Sequence, residues 1–338
     1  MVTPILEYAV VAVVATAVIW KASGLLERAA ENLSVYYGLP AVVQGAVVVA
    51  VGSSFPELSS AVISTWIHGE FDLGVSAIVG SAIFNLLVIP ALSGILGDGV
   101  EADRTLVYKE AQFYMISVSV LVITFALAVI YNPVEGMRLG GSVTRRLALI
   151  PVGFYAVYVF TQYQDTMDHD AEAAPGDVEP LKEWAFLAVS LVLIAGAVEG
   201  LVHAALGFGE VFDTPSFVWG LTVIAAGTSL PDTLVSVRAA RDDEGVTSLA
   251  NVLGSNVFDL LVAVPAGILV AGTAPIDFAV AVPMMGFLTL ATMVVFGFLR
   301  TELALSTGES YALLAFYGVF IVWMVLETLD VTGLVPGA

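Results

Sequence analysis

Of 338 residues, 59% are hydrophobic and only 12% charged, where soluble domains carry about 25% charge, so an ordinary water-soluble globule is excluded. A formal charge of −20, with 11 Lys and Arg in all, argues against nucleic acid and against a polybasic membrane-surface role. With no cysteine and 3 histidines, disulfides, thiolate metal sites and cysteine nucleophiles are excluded and zinc chemistry has little to draw on.

Apolar stretches of roughly 20 residues recur along the chain, each long enough to cross a hydrocarbon core of about 30 Å as a helix. In chain order, hydropathy predicts ten spans, at 5–22, 38–66, 73–97, 111–131, 144–162, 183–206, 215–240, 246–272, 276–299 and 308–328. The stretch Met1 to Trp20 lacks a basic leading region and reads as a retained first span. Gly52 and Pro56 interrupt the second span, and Gly227 and Pro231 interrupt the seventh. Tyr163 to Lys182, with Asp165, Asp168, Asp170, Glu172, Asp177 and Glu179, is the one long polar stretch. It reads as an acidic linker, dividing the chain into a first five-helix unit at 1–162, a linker at 163–182 and a second five-helix unit at 183–338.

Basic residues set the orientation. Lys21, Arg28, Arg104, Lys109, Lys182, Arg238, Arg241 and Arg300 are assigned to loops after odd-numbered spans, and only Arg138, Arg145 and Arg146 to the other side. Both termini are therefore expected outside the cell membrane and the linker in the cytoplasm. The acidic surplus reads as a solvated surface suited to high salt, with local concentration of Ca2+ as the sharper alternative.

The two halves repeat each other. Gly52-Ser53-Ser54-Phe55-Pro56-Glu57-Leu58 returns as Gly227-Thr228-Ser229-Leu230-Pro231-Asp232-Thr233 at an offset of 175. Val79-Gly80-Ser81-Ala82-Ile83-Phe84-Asn85-Leu86-Leu87 returns as Leu253-Gly254-Ser255-Asn256-Val257-Phe258-Asp259-Leu260-Leu261 at an offset of 174. Five spans, an odd number, separate equivalent positions, so the second copy runs inverted with respect to the first, as recurs in secondary transporters.

A proline in a helix removes one backbone donor, so Pro56 is expected to free the carbonyl of Gly52, and Pro231 that of Gly227. Irregular backbone at membrane depth is tolerated where it lines a cavity or binds an ion. Beside each proline stand hydroxyls (Ser53, Ser54; Thr228, Ser229) and a carboxylate (Glu57; Asp232), an all-oxygen set of the kind that Ca2+ and Na+ prefer. Ser81 and Asn85, and Ser255 and Asp259, have i, i+4 spacing that places each pair on one helix face. Gly80 and Gly254 are expected to admit close helix approach. Two antiparallel copies meeting at the midplane would converge Glu57, Asp232, Asp259 and Asn85, and the three carboxylates, all ionised, supply −3, enough for one Ca2+ plus a monovalent ion or for three Na+. Membrane carboxylates are costly to bury and usually functional. Ser59, Ser60, Ser64 and Ser236 read as helix-packing residues, whereas Glu199, Asp277 and Glu327, with His68 and His203, read as interfacial or snorkelling groups.

These motifs resemble the cation/calcium antiporters and, within them, the sodium/calcium exchangers, whose two signature repeats are similar to Gly45 to Gly94 and Gly220 to Gly267. The resemblance implies an all-α polytopic membrane fold of ten helices in two inverted repeats, with broken helices at the ion site. It implies a non-enzymatic antiporter that exchanges Na+ for Ca2+ and normally extrudes Ca2+, with no cofactor beyond the transported ions. Glu57 and Asp232 would be central ligands, Asn85 and Asp259 would share that position, and Ser53, Ser54, Thr228 and Ser229 would complete the ion sites. Ser81 and Ser255, with carbonyls near Ala50 and Ala225, would line flanking Na+ sites. Proline before the acid is similar to the sodium-coupled branches, whereas Gly-Ser-Asn-Val-Phe-Asp259 is similar to the potassium-dependent exchangers, which leaves K+ use open. Asp232 is one methylene shorter than the Glu of several prokaryotic members.

Other classes fit less well. A cation channel could use a carboxylate ring, but no short selectivity loop repeats for a symmetric pore. An intramembrane protease would need HExxH or a paired serine and histidine, which the sequence does not offer. Exchange of H+ for Ca2+ is the nearest alternative.

Overall fold

A computed structural model describes residues 2–38, 50–97, 99–104, 106–166, 178–329, 331–333 and 335. The chain is almost wholly helical. Its helices are α1 (Val2–Tyr36), α2 (Ala50–Ser53), α3 (Phe55–Val62), α4 (Phe71–Leu96), α5 (Ala111–Tyr131), α6 (Arg145–Thr166) and α7 (Pro180–Phe212). They continue with α8 (Ser216–Trp219), α9 (Ala225–Arg241), α10 (Gly245–Phe258), α11 (Val264–Ala271), α12 (Phe278–Glu302) and α13 (Thr307–Thr328). Wide π turns at Ile63–Ile67, Leu106–Glu110, Gly220–Ile224 and Asp259–Ala263 extend or join them.

Among the described residues, eight helices are long and apolar enough to cross a membrane: Pro4–Tyr36, Phe71–Leu96, Leu106–Tyr131, Pro180–Phe212, Ser216–Arg241, Gly245–Ala271, Phe278–Glu302 and Thr307–Thr328. They make this a multi-pass membrane protein. The second and fifth expected spans, at α3 with its π turn and at α6, are not among these eight. The expected second span begins in residues outside the described set (39–49), as does most of the linker (167–177).

The helix ends follow from local chemistry. Ser306 caps α13: its hydroxyl accepts from the Glu309 N–H at 3.3 Å while the Glu309 carboxylate accepts from the Ser306 N–H at 2.9 Å. Asp277 caps α12 by accepting from the Ala279 N–H at 2.9 Å, which gives this residue at the span's end a capping role. Pro180 opens α7 at a position where its missing N–H costs nothing, and Asp213 closes it in the left-handed region at φ 54°.

Helix α1 is longer than the expected 5–22 span. Lys21 and Arg28 therefore lie on the helix and not in a loop beyond it, with the Lys21 ammonium 4.1 Å from the centroid of the Trp20 ring. Long basic side chains near a helix end reach the interface from inside the span, which is why hydropathy truncated it. Glu327 also departs from expectation: at 2% exposure it is buried, accepting from Trp323 Nε1 at 3.0 Å, from the Thr332 hydroxyl and from the Val335 N–H at 2.5 Å. Glu199 accepts from or pairs with His68 Nε2 at 3.0 Å, linking the middle of α7 to the turn after α3.

Helices α1 and α7 pack along each other on one side, over a cluster that includes Ala15, Ile19, Ile194, Val198 and Leu201. Helices α4, α9 and α10 form the centre, with α12 and α13 closing around α4 and α5 packed against α6, α12 and α10. Two short ribbons tie the halves together. Strand β1 (Val100–Glu101) pairs with β4 (Ala304–Leu305), and β2 (Gly140–Thr144) pairs with β3 (Thr273–Asp277), both antiparallel. β1 and β3 follow equivalent motif-bearing helices, α4 and α10–α11, while β2 and β4 follow α5 and α12. Each ribbon thus joins the connection after the third expected span of one half to the connection after the fourth of the other, the exchange that a two-fold relation between halves produces.

Candidate ion-binding site

The first copy of the acidic motif breaks its helix. Ser54, at φ −89° and ψ 10°, separates α2 from α3, and Pro56 lies in the first turn of α3 with Glu57 beside it. The second copy differs: α9 stays helical through Pro231, and the irregularity falls upstream in the π turn at Gly220–Ile224. A π turn re-pairs displaced backbone groups over one extra residue, so the irregular backbone lies next to the acid in the first copy and two turns before it in the second.

Glu57, Asp232 and Asp259 are 1%, 2% and 0% exposed, so none faces lipid or bulk water. Asp259 opens the π turn that joins α10 to α11. The charge of Glu57 acts on both aspartates, and that of Asp232 acts on Asp259, which places the three in one electrostatic neighbourhood drawn from both halves. Asn85, Ser53, Ser54, Ser81, Thr228, Ser229, Ser255 and Ala225 are likewise buried. Ala50 begins α2.

Hydroxyls connect the two halves. Ser81 and Ser229 stand 2.6 Å apart, oxygen to oxygen, and Ser81 Oγ also donates a long bond of 3.5 Å to Glu57 Oε1. Thr228 faces the Glu57 carboxylate while its Oγ1 donates to the Ile224 carbonyl at 3.1 Å and the Ala225 carbonyl at 3.3 Å. Ser255 neighbours Asp232, and Ser54 neighbours Asp259. The pair Ser255 and Asp232 is the repeat equivalent of Ser81 and Glu57.

Much of this oxygen is unused by the protein itself. Glu57 Oε2, both carboxylate oxygens of Asp232, both of Asp259, Asn85 Oδ1 and the Ser54 hydroxyl are buried without a hydrogen bond. Buried polar atoms are rarely left so, and buried like charges side by side are costly. A cation bound among them offsets both penalties. No group of three acidic or histidine side chains among the described residues is drawn close enough to hold a metal ion by itself, so neutral hydroxyl, amide and carbonyl oxygens would have to complete any cage.

Gly80 behaves as expected: a β-carbon there would sit 2.7 Å from the Cα of Leu221, so α4 lies directly on the π turn of the opposite half. A β-carbon on Gly254 would meet nothing described within 4 Å, so the expected close approach is not repeated there. Asn256 is a site neighbour that the sequence reading missed. Its Oδ1 accepts from Asn85 Nδ2 at 3.0 Å, and its own Nδ2 donates to the Ala82 carbonyl at 3.2 Å. Its repeat counterpart is an alanine, which hid it from a search for matching polar positions.

The family model described as "Sodium/calcium exchanger protein" matches residues 7–164 and 182–326, nearly the whole chain on either side of the acidic stretch. The chain belongs to this family. The sodium/calcium exchanger family comprises membrane ion exchangers and not enzymes, and this chain is accordingly a multi-pass cation/Ca2+ antiporter protein. It is 29% identical over 260 residues to "Putative antiporter CaxA" of Alkalimonas amylolytica, covering 75% of this chain and 77% of that one. It is 27% identical over 305 residues to "Inner membrane protein YrbG" of Escherichia coli (strain K12), covering 88% and 90%. A solved structure of the sodium-calcium exchanger NCX_Mj matches the exchanger fold with a TM-score of 0.62 at 22% identity, covering 95% of this chain and 99% of that chain.

Proposed function

We propose that the protein exchanges Na+ for Ca2+ across the cell membrane by alternating access, with Ca2+ extrusion as its normal direction. The observation that carries this reading is the set of unbonded acidic oxygens on Glu57, Asp232 and Asp259, buried between the two halves. Glu57 and Asp232 hold the central ion. Asn85 and Asp259 share it, and Ser53, Ser54, Thr228 and Ser229 supply neutral oxygens. Ser81 and Ser255, with the carbonyls near Ala50 and Ala225, take flanking Na+. Because the ions draw on overlapping oxygens, occupancy by one opposes occupancy by the other, which couples their movement.

The two five-helix units, 1–162 and 183–338, form an inverted pair about this centre. The swapped pairing of β1 with β4 and β2 with β3 supports that relation. The α1–α7 pair slides or rocks against the core to expose the ions to each side in turn. Both termini lie outside the cell and the acidic linker in the cytoplasm.

Dependence on K+ is a second reading with its own support. Asp259 stands where the potassium-dependent motif has its acid, and the chain is 26% identical over 318 residues to human "Sodium/potassium/calcium exchanger 5". Uptake of 45Ca2+ into proteoliposomes under separately imposed Na+, H+ and K+ gradients tests both readings. A Na+ gradient drives uptake if the first holds, and K+ is required in addition if the second holds. Uptake driven by a pH gradient alone, or conductive Ca2+ current with no counter-ion, overturns both.

A further inference from the structure

One acidic side chain outside the repeated motifs lines a cavity beside α9, the helix that carries Asp232. Glu27 projects from α1, half-buried, into a cavity of about 280 Å3. Trp20, Gly24 and Glu27 of α1 line one wall, and Pro231, Val235 and Arg238 of α9 line the other. The cavity therefore runs along α9 from the proline beside Asp232 to the end of the helix, where Arg238 is exposed. At about 30 Å3 per water, it has room for a cation with a shell of roughly six waters.

Two further contacts tie Glu27 to the ion site. A β-carbon on Gly52 would lie 3.8 Å from the Glu27 Cγ, so its stem rests on the broken segment that carries Ser53 and Ser54. Its charge also reaches the Asp232 carboxyl, next in effect after that of Glu57. The nearest charges are those of Glu31 and Arg28, both of which act on Glu27; neither nearby guanidinium bonds it, since Arg28 Nε donates to the Gly24 carbonyl at 2.7 Å and Arg238 Nε lies 3.8 Å from Asp242 Oδ2. Among the described residues, no hydrogen bond or ion pair engages the Glu27 carboxylate. Packing alone does not explain such a group, since a Gln or Leu would cover the Gly52 backbone equally well.

We propose that Glu27 is an ancillary cation-binding residue, a carboxylate that receives hydrated Na+ or Ca2+ in the cavity between α1 and α9 and delivers it to Asp232. This assignment rests on the exchange reading above and adds to it a sided access path. Because α1 belongs to the pair that moves against the core, the residue is on the moving wall and meets the ion before the closure step. One carboxylate lining a cavity raises the local cation concentration, and added salt screens the effect.

Side-resolved 45Ca2+ flux in proteoliposomes of uniform orientation tests the assignment, comparing wild type with Glu27→Gln, Glu27→Asp and Glu27→Lys. Glu27→Gln is expected to raise the apparent KM for Ca2+ about five-fold from the face on which the cavity opens, with KM from the opposite face and the maximal rate unchanged. Glu27→Lys raises it further, Glu27→Asp restores it, and molar choline chloride narrows the difference from wild type. Equal KM values for wild type and Glu27→Gln on both faces overturn the proposal. So does a change that is the same on both faces or insensitive to salt, or a Glu27→Asp variant that fails to recover. Wild-type protein that shows no Na+-driven uptake at all contradicts the exchange reading instead. If the Gln variant does not purify as a monodisperse species, the Asp and Lys variants carry the comparison.

Discussion

The Asn256 side-chain amide donates to the backbone carbonyl of Ala82 at 3.2 Å, and the two residues occupy equivalent positions in the two repeats. A residue that touches its own counterpart lies where the two halves meet. Asn256 also accepts from Asn85, whose remaining oxygen is unbonded and buried, and the Tyr114 phenol approaches from α5. This amide chain holds α4 and α10 in register behind the acidic centre.

Asn256→Leu is expected to leave the Asn85 amide unpaired in a dry interior, at a cost of about 1–3 kcal/mol. Thermal denaturation in detergent reads it as a lowered midpoint. An unchanged midpoint would mean that the chain carries no structural load.

Glu57→Gln and Asp232→Asn should each abolish Na+-driven Ca2+ uptake. In the absence of divalent ions they should also raise the thermal midpoint, because one of several crowded like charges is removed. Wild type gains about 2.7 kcal/mol from Ca2+ at a hundred times its Kd, and the variants should lose that gain. Differential scanning fluorimetry with and without Ca2+ separates the two effects.

Gly80 and Gly254 are matched in sequence but not in surroundings. Gly80→Val forces its side chain into the Leu221 backbone and should cost about 1–3 kcal/mol or prevent folding, while Gly254→Ala meets nothing described within 4 Å and should be tolerated. Expression and monodispersity in size-exclusion chromatography distinguish them. Equal tolerance would contradict the packing of α4 on the Gly220–Ile224 turn.

Asp259→Asn turns the second-half acid into the residue that the first half carries at Asn85. If Asp259 serves K+, the variant keeps its fold and loses any K+ stimulation of Ca2+ flux. A K+ response identical to wild type removes that role.

The membrane class, the order of the helices and the acidic motifs were legible because hydropathy and a matched repeat are properties of the chain alone. Most departures arise where a side chain finds a distant partner. Glu199 meets His68, and Glu327 is gathered in by Trp323 and the residues that follow α13, partners that a position near an apolar stretch does not announce. Lys21 and Arg28 showed as loop residues because hydropathy counts charge and not reach. Asn256 escaped because its counterpart is Ala82, and a search for matched polar pairs cannot see an asymmetric contact. The unequal breaks, at Ser54 in one copy and in a π turn before α9 in the other, follow packing and not the shared Gly-to-Pro spacing.

The most direct test is equilibrium binding of 45Ca2+ to the purified protein, competed by Na+, in wild type and in Glu57→Gln, Asp232→Asn and Asp259→Asn. If acids from both halves hold one transported ion, wild type binds Ca2+, Na+ displaces it, and each single substitution weakens binding by at least roughly ten-fold, about 1.4 kcal/mol. Wild-type affinity in all three variants would contradict the account.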